Sequence, residues 1–299
     1  MKLLLLGGNG QVGRALRKSL LPLGELVVAT RDGDGADLAV DFLRPETLGE
    51  RVRAVAPEVV VNAAAYTDVD RAETERDAAF AVNAAAPGNL ARACAGIGAL
   101  LLHYSTDYVF DGNSDCPYLE DDQPAPLNVY GASKLAGEQA IRASGARHAI
   151  LRTSWVYSAH GGNFLETMLR LAAGRDTLRV VADQFGAPTP AEWLADATVR
   201  ILDRGVGGSG IWHLAASGRT SWHGFAEAIM QEACQRGLLA RGPRVEAIAT
   251  SERPTPARRP LHSLLDTAKL RRDFGIVPPD WRTGVATTLQ QLAASCTFD

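Results

Sequence analysis

Long apolar runs are absent from this sequence. The amino terminus carries only four consecutive leucines, Leu3–Leu6, before Gly7 and Gly8 end the run. A secretory leader needs about 7–15 apolar residues and a membrane helix about 20. No later segment approaches either length, so a cytoplasmic chain without a membrane partner is expected. Cysteine is scarce as well: Cys94, Cys116, Cys234 and Cys296 are the four in 299 residues. No two form a CxxC pair or a Cys/His metal spacing, which points to unpaired thiols in a reducing compartment and no bound metal. An excess of positive charge is also missing. Lys and Arg total 31 against 34 Asp and Glu, for a formal net charge of −3, and the basic residues are scattered apart from short runs such as Arg258-Arg259. Electrostatics thus offer no reason to expect nucleic acid. The histidines, His103, His148, His160, His213, His223 and His262, are dispersed without ligand spacing, and no GxSxG elbow suggests a hydrolase. Internal repeats and low-complexity tracts are lacking.

What is present is an ordinary globular composition, 46% hydrophobic and 22% charged, in a chain long enough for a large core and one or two domains. Short apolar runs at Leu3–Leu6, Glu25–Thr30, Val59–Asn62, Leu100–Ser105 and Ala149–Thr153 alternate with helical periodicity near Gln11–Leu21, Pro45–Val55, Ala84–Ala95 and Tyr130–Ala143. Strand and helix in repetition predict an α/β fold, a doubly wound parallel sheet of Rossmann type covered on both faces. Near-continuous apolar strands such as Val59-Val60-Val61 are what two-sided burial demands. Beyond residue 155 the rhythm loosens, with helices expected at Phe164–Ala173, Ala191–Leu202, Trp222–Arg236 and Thr267–Phe274. The expected organisation is a dinucleotide-binding domain over residues 1–155 and a smaller mixed α/β substrate domain over residues 156–299. The boundary is soft, because elements of the second half can add strands to the main sheet.

Gly7-Gly8-Asn9-Gly10-Gln11-Val12-Gly13 follows the first strand and opens the first helix. A tight turn there needs positive φ, the backbone must approach a pyrophosphate closely, and the helix must aim free N–H groups at the anion. The second strand ends in Arg31-Asp32. A guanidinium suits the 2′-phosphate of NADP, whereas an acid suits the ribose hydroxyl of NAD. NADPH is the expected cofactor, with NADH the alternative. Asp41 and Phe42 are candidates to meet the adenine amine and ring, and the small residues Ala63, Ala64 and Ala65 after the third strand would let a cofactor lie against the backbone.

Tyr130 and Lys134 stand four apart at the start of a helix, on one face. A nearby ammonium lowers a tyrosine's pKa from its usual value near 10 and makes it a usable general acid. The fourth strand ends in Tyr104-Ser105-Thr106-Asp107-Tyr108, where ligands of parallel sheets collect. A hydroxyl there can share a substrate carbonyl with the tyrosine.

The glycine loop, Tyr66-Thr67-Asp68-Val69-Asp70, the Ser105–Gly112 run and Tyr130-Gly131-Ala132-Ser133-Lys134 together resemble the extended short-chain dehydrogenase/reductase family. Leu151-Arg152-Thr153-Ser154-Trp155-Val156-Tyr157 and Asp183-Gln184-Phe185-Gly186-Ala187-Pro188-Thr189 narrow the resemblance to its nucleotide-sugar 4-keto reductases. The resemblance implies hydride delivery from NADPH or NADH to C4 of dTDP-4-dehydro-L-rhamnose, giving dTDP-L-rhamnose for cell-surface polysaccharide. It implies that Tyr130 protonates the forming alkoxide and that Lys134 depresses the Tyr130 pKa and binds the nicotinamide ribose. Thr106 would bond the substrate oxygen. Asp107, Tyr108 and Trp155 would form the sugar site with Val69 nearby, and Arg259 would meet the diphosphate. Relatives with magnesium-bridged dimers carry a glutamate in the first helix. Here that stretch reads Arg14, Ala15, Leu16, Arg17, with only Glu192 as an available carboxylate, so no metal is expected and a monomer or homodimer is. Two alternatives stay open: another nucleotide-sugar epimerase, reductase or dehydratase, and a non-catalytic subunit like the regulatory β subunit of methionine adenosyltransferase. Tyr108 stands after Thr106-Asp107 where dehydratases carry glutamate, which disfavours elimination. The intact Thr106, Tyr130 and Lys134 favour catalysis.

Overall fold

The computed structural model describes residues 1–296; residues 297–299 and the side chains of residues 295 and 296 lie outside the described residues, and with them the expectation for the Cys296 thiol. Cys94, Cys116 and Cys234 are free thiols. Lys2–Leu6 (β1) runs through the glycine loop into Gln11–Leu20 (α1). Glu25–Thr30 (β2), Leu38–Ala39 (β3), Leu48–Val55 (α2) and Val59–Asn62 (β4) follow. Val69–Ala72 (α3), Arg76–Phe80 (α4), a π-helical turn at Ala81–Ala85 and Ala86–Ile97 (α5) lead to Leu100–Thr106 (β5), Val129–Arg142 (α6) and His148–Thr153 (β6). The second half comprises Val156–Tyr157 (β7), Phe164–Ala172 (α7), Thr177–Val181 (β8), Phe185–Gly186 (β9), Thr189–Pro190 (β10) and Ala191–Arg204 (α8). It ends with Gly210–His213 (β11), Thr220–Ser221 (β12), Trp222–Gln235 (α9), Arg244–Ile248 (β13), Ala268–Phe274 (α10) and Trp281–Cys296 (α11).

Seven strands form one sheet in the order β3-β2-β1-β4-β5-β6-β11, and every pairing in it is parallel. Its winding reverses between β1 and β4, which opens a crevice at their carboxyl ends. Alternate side chains of one strand serve opposite faces. Leu3, Leu5, Val61 and Leu102 pack into the layer that includes Leu16 of α1 and Leu194 of α8. Leu4, Leu6, Val60 and Leu101 pack into the layer that includes Val52 of α2 and Leu90 of α5. Two-sided burial is why these strands are apolar at every position.

The second half does not stand apart. β11 adds to the edge of the sheet, with Gly210 opposite Ala149 and His213 opposite Arg152. A separate core of Leu165, Met168, Phe225, Ile229, Trp281 and Val285 joins α7, α9 and α11, backed by the parallel pair β8 and β13.

Candidate active site

The glycine loop is shaped by steric need. Gly7 has φ +79°, and a Cβ there would lie 2.6 Å from Ala64 N. A Cβ on Gly13 would lie 2.0 Å from Gly7 O, so a side chain at either place would push β1, β4 and α1 apart. Gly10 starts α1 without any side-chain cap, and the free N–H groups of the first turn keep their capacity for an anion. Arg17 Nε donates to Gly8 O at 2.8 Å and its Nη1 to Gly35 O at 2.7 Å. Arg17 of the first helix therefore ties the loop to the turn after β2.

A cavity of about 680 Å³ opens above this loop, lined by Gly7, Gly10, Gln11 and Val12. Arg31, Asp41 and Phe42 line the end near β2, and Ala63, Ala64 and Ala65 the floor beyond β4. Gly13 lies inside the first turn of α1 and serves through packing. Asp32 Oδ1 accepts from Asp34 N at 3.1 Å and from Thr30 Oγ1 at 3.3 Å. The acid is thereby engaged by its own turn, which with the nearby Arg31 holds its carboxyl below the usual range. Arg31 is exposed at the same rim, placed for a phosphate. The shape and donors fit a dinucleotide.

Thr106, Tyr130 and Lys134 line the same cavity. Thr106 closes β5, while Tyr130 and Lys134 lie in the first turns of α6, whose start is fixed by Asn128 accepting from Gly131 N at 2.8 Å. Burial pushes the Tyr130 phenol up to about 12; the Thr106 hydroxyl works against that shift and the Asp107 charge with it. The expected lowering of the phenol by Lys134 is not found. Lys134 is 2% exposed, its Nζ donates to the Tyr104 carbonyl at 2.6 Å, and burial brings it down to about 8 against the pull of Glu138. A lysine spent on a carbonyl, with its own charge disfavoured by burial, does not hold the phenolate.

Thr106 Oγ1 donates to Asp107 Oδ1 at 3.0 Å and accepts from Tyr108 N at 3.1 Å. Asp107 is 2% exposed and its Oδ2 is buried without a partner among the described residues. Burial raises this carboxyl to about 7, opposed by the Ser263 and Thr106 hydroxyls. Once protonated it can donate to Thr106, which frees the threonine proton for another acceptor.

Val69, Asp107, Tyr108 and Trp155 line the far end of the cavity. Tyr108 meets Tyr130 edge-on at 5.8 Å between ring centroids. Trp155 has φ +46°, a conformation costing a bulky residue about 1–3 kcal/mol. It stacks on Trp222 at 3.6 Å and 5°, and a Cβ on Gly186 would strike it at 2.5 Å. Stacking and glycine clearance together offset the strained backbone. Arg259 is not brought to the cavity. Its Nη1 and Nη2 donate to the two oxygens of Asp70 at 2.9 and 2.8 Å, which pulls the Asp70 carboxyl below its usual range. Trp222 and Asn163 line the cavity as well and were missed in the sequence, where no local motif marks them; Thr67, inside the Tyr66–Asp70 motif, lines it too without having been singled out.

Residues 1–294 match the family model described as the RmlD substrate binding domain. The dTDP-4-dehydrorhamnose reductase of Escherichia coli (strain K12) is 47% identical, covering 98% of this chain and 98% of its own. That of Burkholderia thailandensis is 48% identical, covering 98% and 99%. Among solved structures, a dTDP-4-dehydrorhamnose reductase from Clostridium acetobutylicum superposes with TM-score 0.90 at 33% identity, covering 98% and 99%. The one from Bacillus anthracis, in complex with NADP, gives 0.89 at 34%, covering 97% and 100%. The family match spans residues 1–294 and with them every cavity-lining residue, and the chain belongs to the RmlD substrate binding domain family.

Proposed function

We propose that the chain reduces the C4 keto group of dTDP-4-dehydro-L-rhamnose to dTDP-L-rhamnose, using NADPH and, as second choice, NADH. One observation carries the reading: Thr106, Tyr130 and Lys134 meet in the cavity into which the glycine loop opens, in a chain collinear with dTDP-4-dehydrorhamnose reductases. The NADP held by the Bacillus anthracis relative supports the cofactor choice.

When bound, the dinucleotide supplies the hydride. Tyr130 supplies the proton: a phenol pushed up to about 12 stays protonated at neutral pH and can still give its proton to the more basic alkoxide as that forms. Thr106 orients the ketone oxygen, most strongly when Asp107 is protonated and returns the hydrogen bond. Lys134 keeps positive charge at the base of the site. Residues 1–155 would hold the dinucleotide and the later half the sugar nucleotide, with Trp155, Trp222 and Val69 around the sugar. The same reading places the enzyme in the cytoplasm as a monomer or homodimer.

Purified protein should oxidise one NADPH per dTDP-L-rhamnose formed when offered a panel of nucleotide keto-sugars. An epimerase would show no net loss of nicotinamide absorbance. Tyr130→Phe should lower kcat at least ~10²-fold. Equal rates for the two proteins would remove the acid from the mechanism.

A further inference from the structure

The strand that delivers Thr106 also places a histidine against the lysine of the site. His103 is 0% exposed on β5. Its Nε2 lies 3.3 Å from Lys134 Nζ and its Nδ1 3.0 Å from Asn62 Nδ2. Asn62, the last residue of β4, is its register partner. The protons in this row can be assigned in turn. Ala64 N donates to Asn62 Oδ1 at 3.1 Å, so the oxygen end of the amide is taken and the NH2 end faces the ring. An amide nitrogen has only protons to offer, so His103 Nδ1 must present a bare lone pair. Burial keeps the ring neutral, and the Lys134 charge acts in the same direction. A neutral ring with a bare Nδ1 carries its proton on Nε2, and that N–H faces Lys134.

An N–H aimed at an ammonium repels it, whereas an N–H aimed at an amine is a hydrogen bond. The other groups around Lys134 do not reverse this preference. The Tyr104 carbonyl accepts from either form, the ammonium more strongly, and sets the level from which the ring lowers the lysine's proton affinity. Glu138, one turn later in α6, favours the charged form, but both its oxygens are engaged by Arg152 from β6, and Ser105 from β5 adds a third bond. Burial keeps the Tyr130 and Tyr104 phenols protonated, and Asp107 is bound to Thr106.

We infer that the Asn62–His103 pair is a positioning device for Lys134, turning an Nε2–H toward the lysine and making it a ready donor of the proton that restores Tyr130 after turnover. In the reductase reading, on which this rests, each turnover breaks the Tyr130 O–H bond as the product O–H bond forms. Lys134 then gives an N–H proton to remake the phenol through the cavity that both side chains line, and regains one from water there. His103 and Asn62 act through the lysine and do not line the cavity themselves.

Full-length protein labelled with 15N in its histidines reports the tautomer directly by NMR, with His103 assigned by its loss in His103→Gln. At pH 7 the expected state is a protonated Nε2 and a bare Nδ1. The opposite tautomer, or an imidazolium, would overturn the inference. Asn62→Asp sets an acceptor opposite Nδ1, draws the ring proton there and turns a bare Nε2 to Lys134. The alkaline break in kcat/KM that belongs to Lys134 should then move up by about one pH unit or more. A slower variant whose break does not move would show Asn62 to be merely structural and sink the proposal; if that variant fails to fold, the wild-type spectrum decides. Wild-type protein with the expected tautomer but no turnover of the keto-sugar would refute the reductase reading and leave the tautomer standing.

Discussion

Tyr130, Asp107 and Lys134 differ in how burial treats them, and that difference sets the pH dependence of the reaction. Tyr130 keeps its proton throughout the working range, so it produces no break of its own. Asp107, near 7, and Lys134, near 8, both serve the reaction in their protonated forms. Activity that depends on them is therefore complete below these values and is lost as pH rises through them. A profile of kcat/KM should fall on the alkaline side in two steps. Asp107→Asn offers Thr106 a permanent donor, so its profile should retain only the later step; both steps persisting would refute the assignment. At the other end of the cavity, Arg31→Ala should raise the KM for NADPH about tenfold through loss of a charge-assisted bond, with little change for NADH. Equal effects on the two cofactors would argue against a 2′-phosphate contact. Side-chain types at this scale were legible wherever a motif stood in one stretch of chain, as with Tyr130 and Lys134. The direction of the Tyr130 shift was not, because burial sets it, and how deeply the phenol is enclosed depends on elements far apart in the chain.

Elements built from continuous apolar runs could be read directly, because β1, β4 and β5 are buried on both faces and their composition says so. β8 alternates exposed and buried residues at Thr177–Val181 and pairs with β13, about 65 residues later in the chain. Neither is apolar enough alone to announce a strand. β11 has four residues, too few for periodicity. Two elements carry testable demands. Gly13→Ala places a methyl group against Gly7 O and should abolish NADPH binding in a fluorescence titration while leaving the circular dichroism spectrum unchanged; retained affinity would mean the loop relaxes freely. Glu138 of α6 and Arg152 of β6 form an ion pair with both side chains 2% exposed. Removing one partner by Glu138→Gln leaves the other charge buried alone and should cost about 3–5 kcal/mol in urea unfolding. A change under about 1 kcal/mol would show that water reaches the pair.

For the whole molecule, hydride transfer with Tyr130 as acid calls for no metal, and among the described residues no group of three or more His, Cys, Asp or Glu side chains is arranged to hold one. Incubation with EDTA should leave the rate of NADPH oxidation unchanged; loss restored by magnesium would contradict that. The soft boundary near residue 155 has a concrete form in β11. A fragment stopped after Thr153 would leave the outer rim of β6 with bare amide and carbonyl groups over apolar neighbours, an invitation to self-association. A first half that holds the dinucleotide, as proposed, should therefore not transplant as a cassette onto a foreign sugar-recognition module. Any recombinant swap must carry the Gly210–His213 segment along with the first half, or the grafted protein will precipitate before its chemistry can be tried.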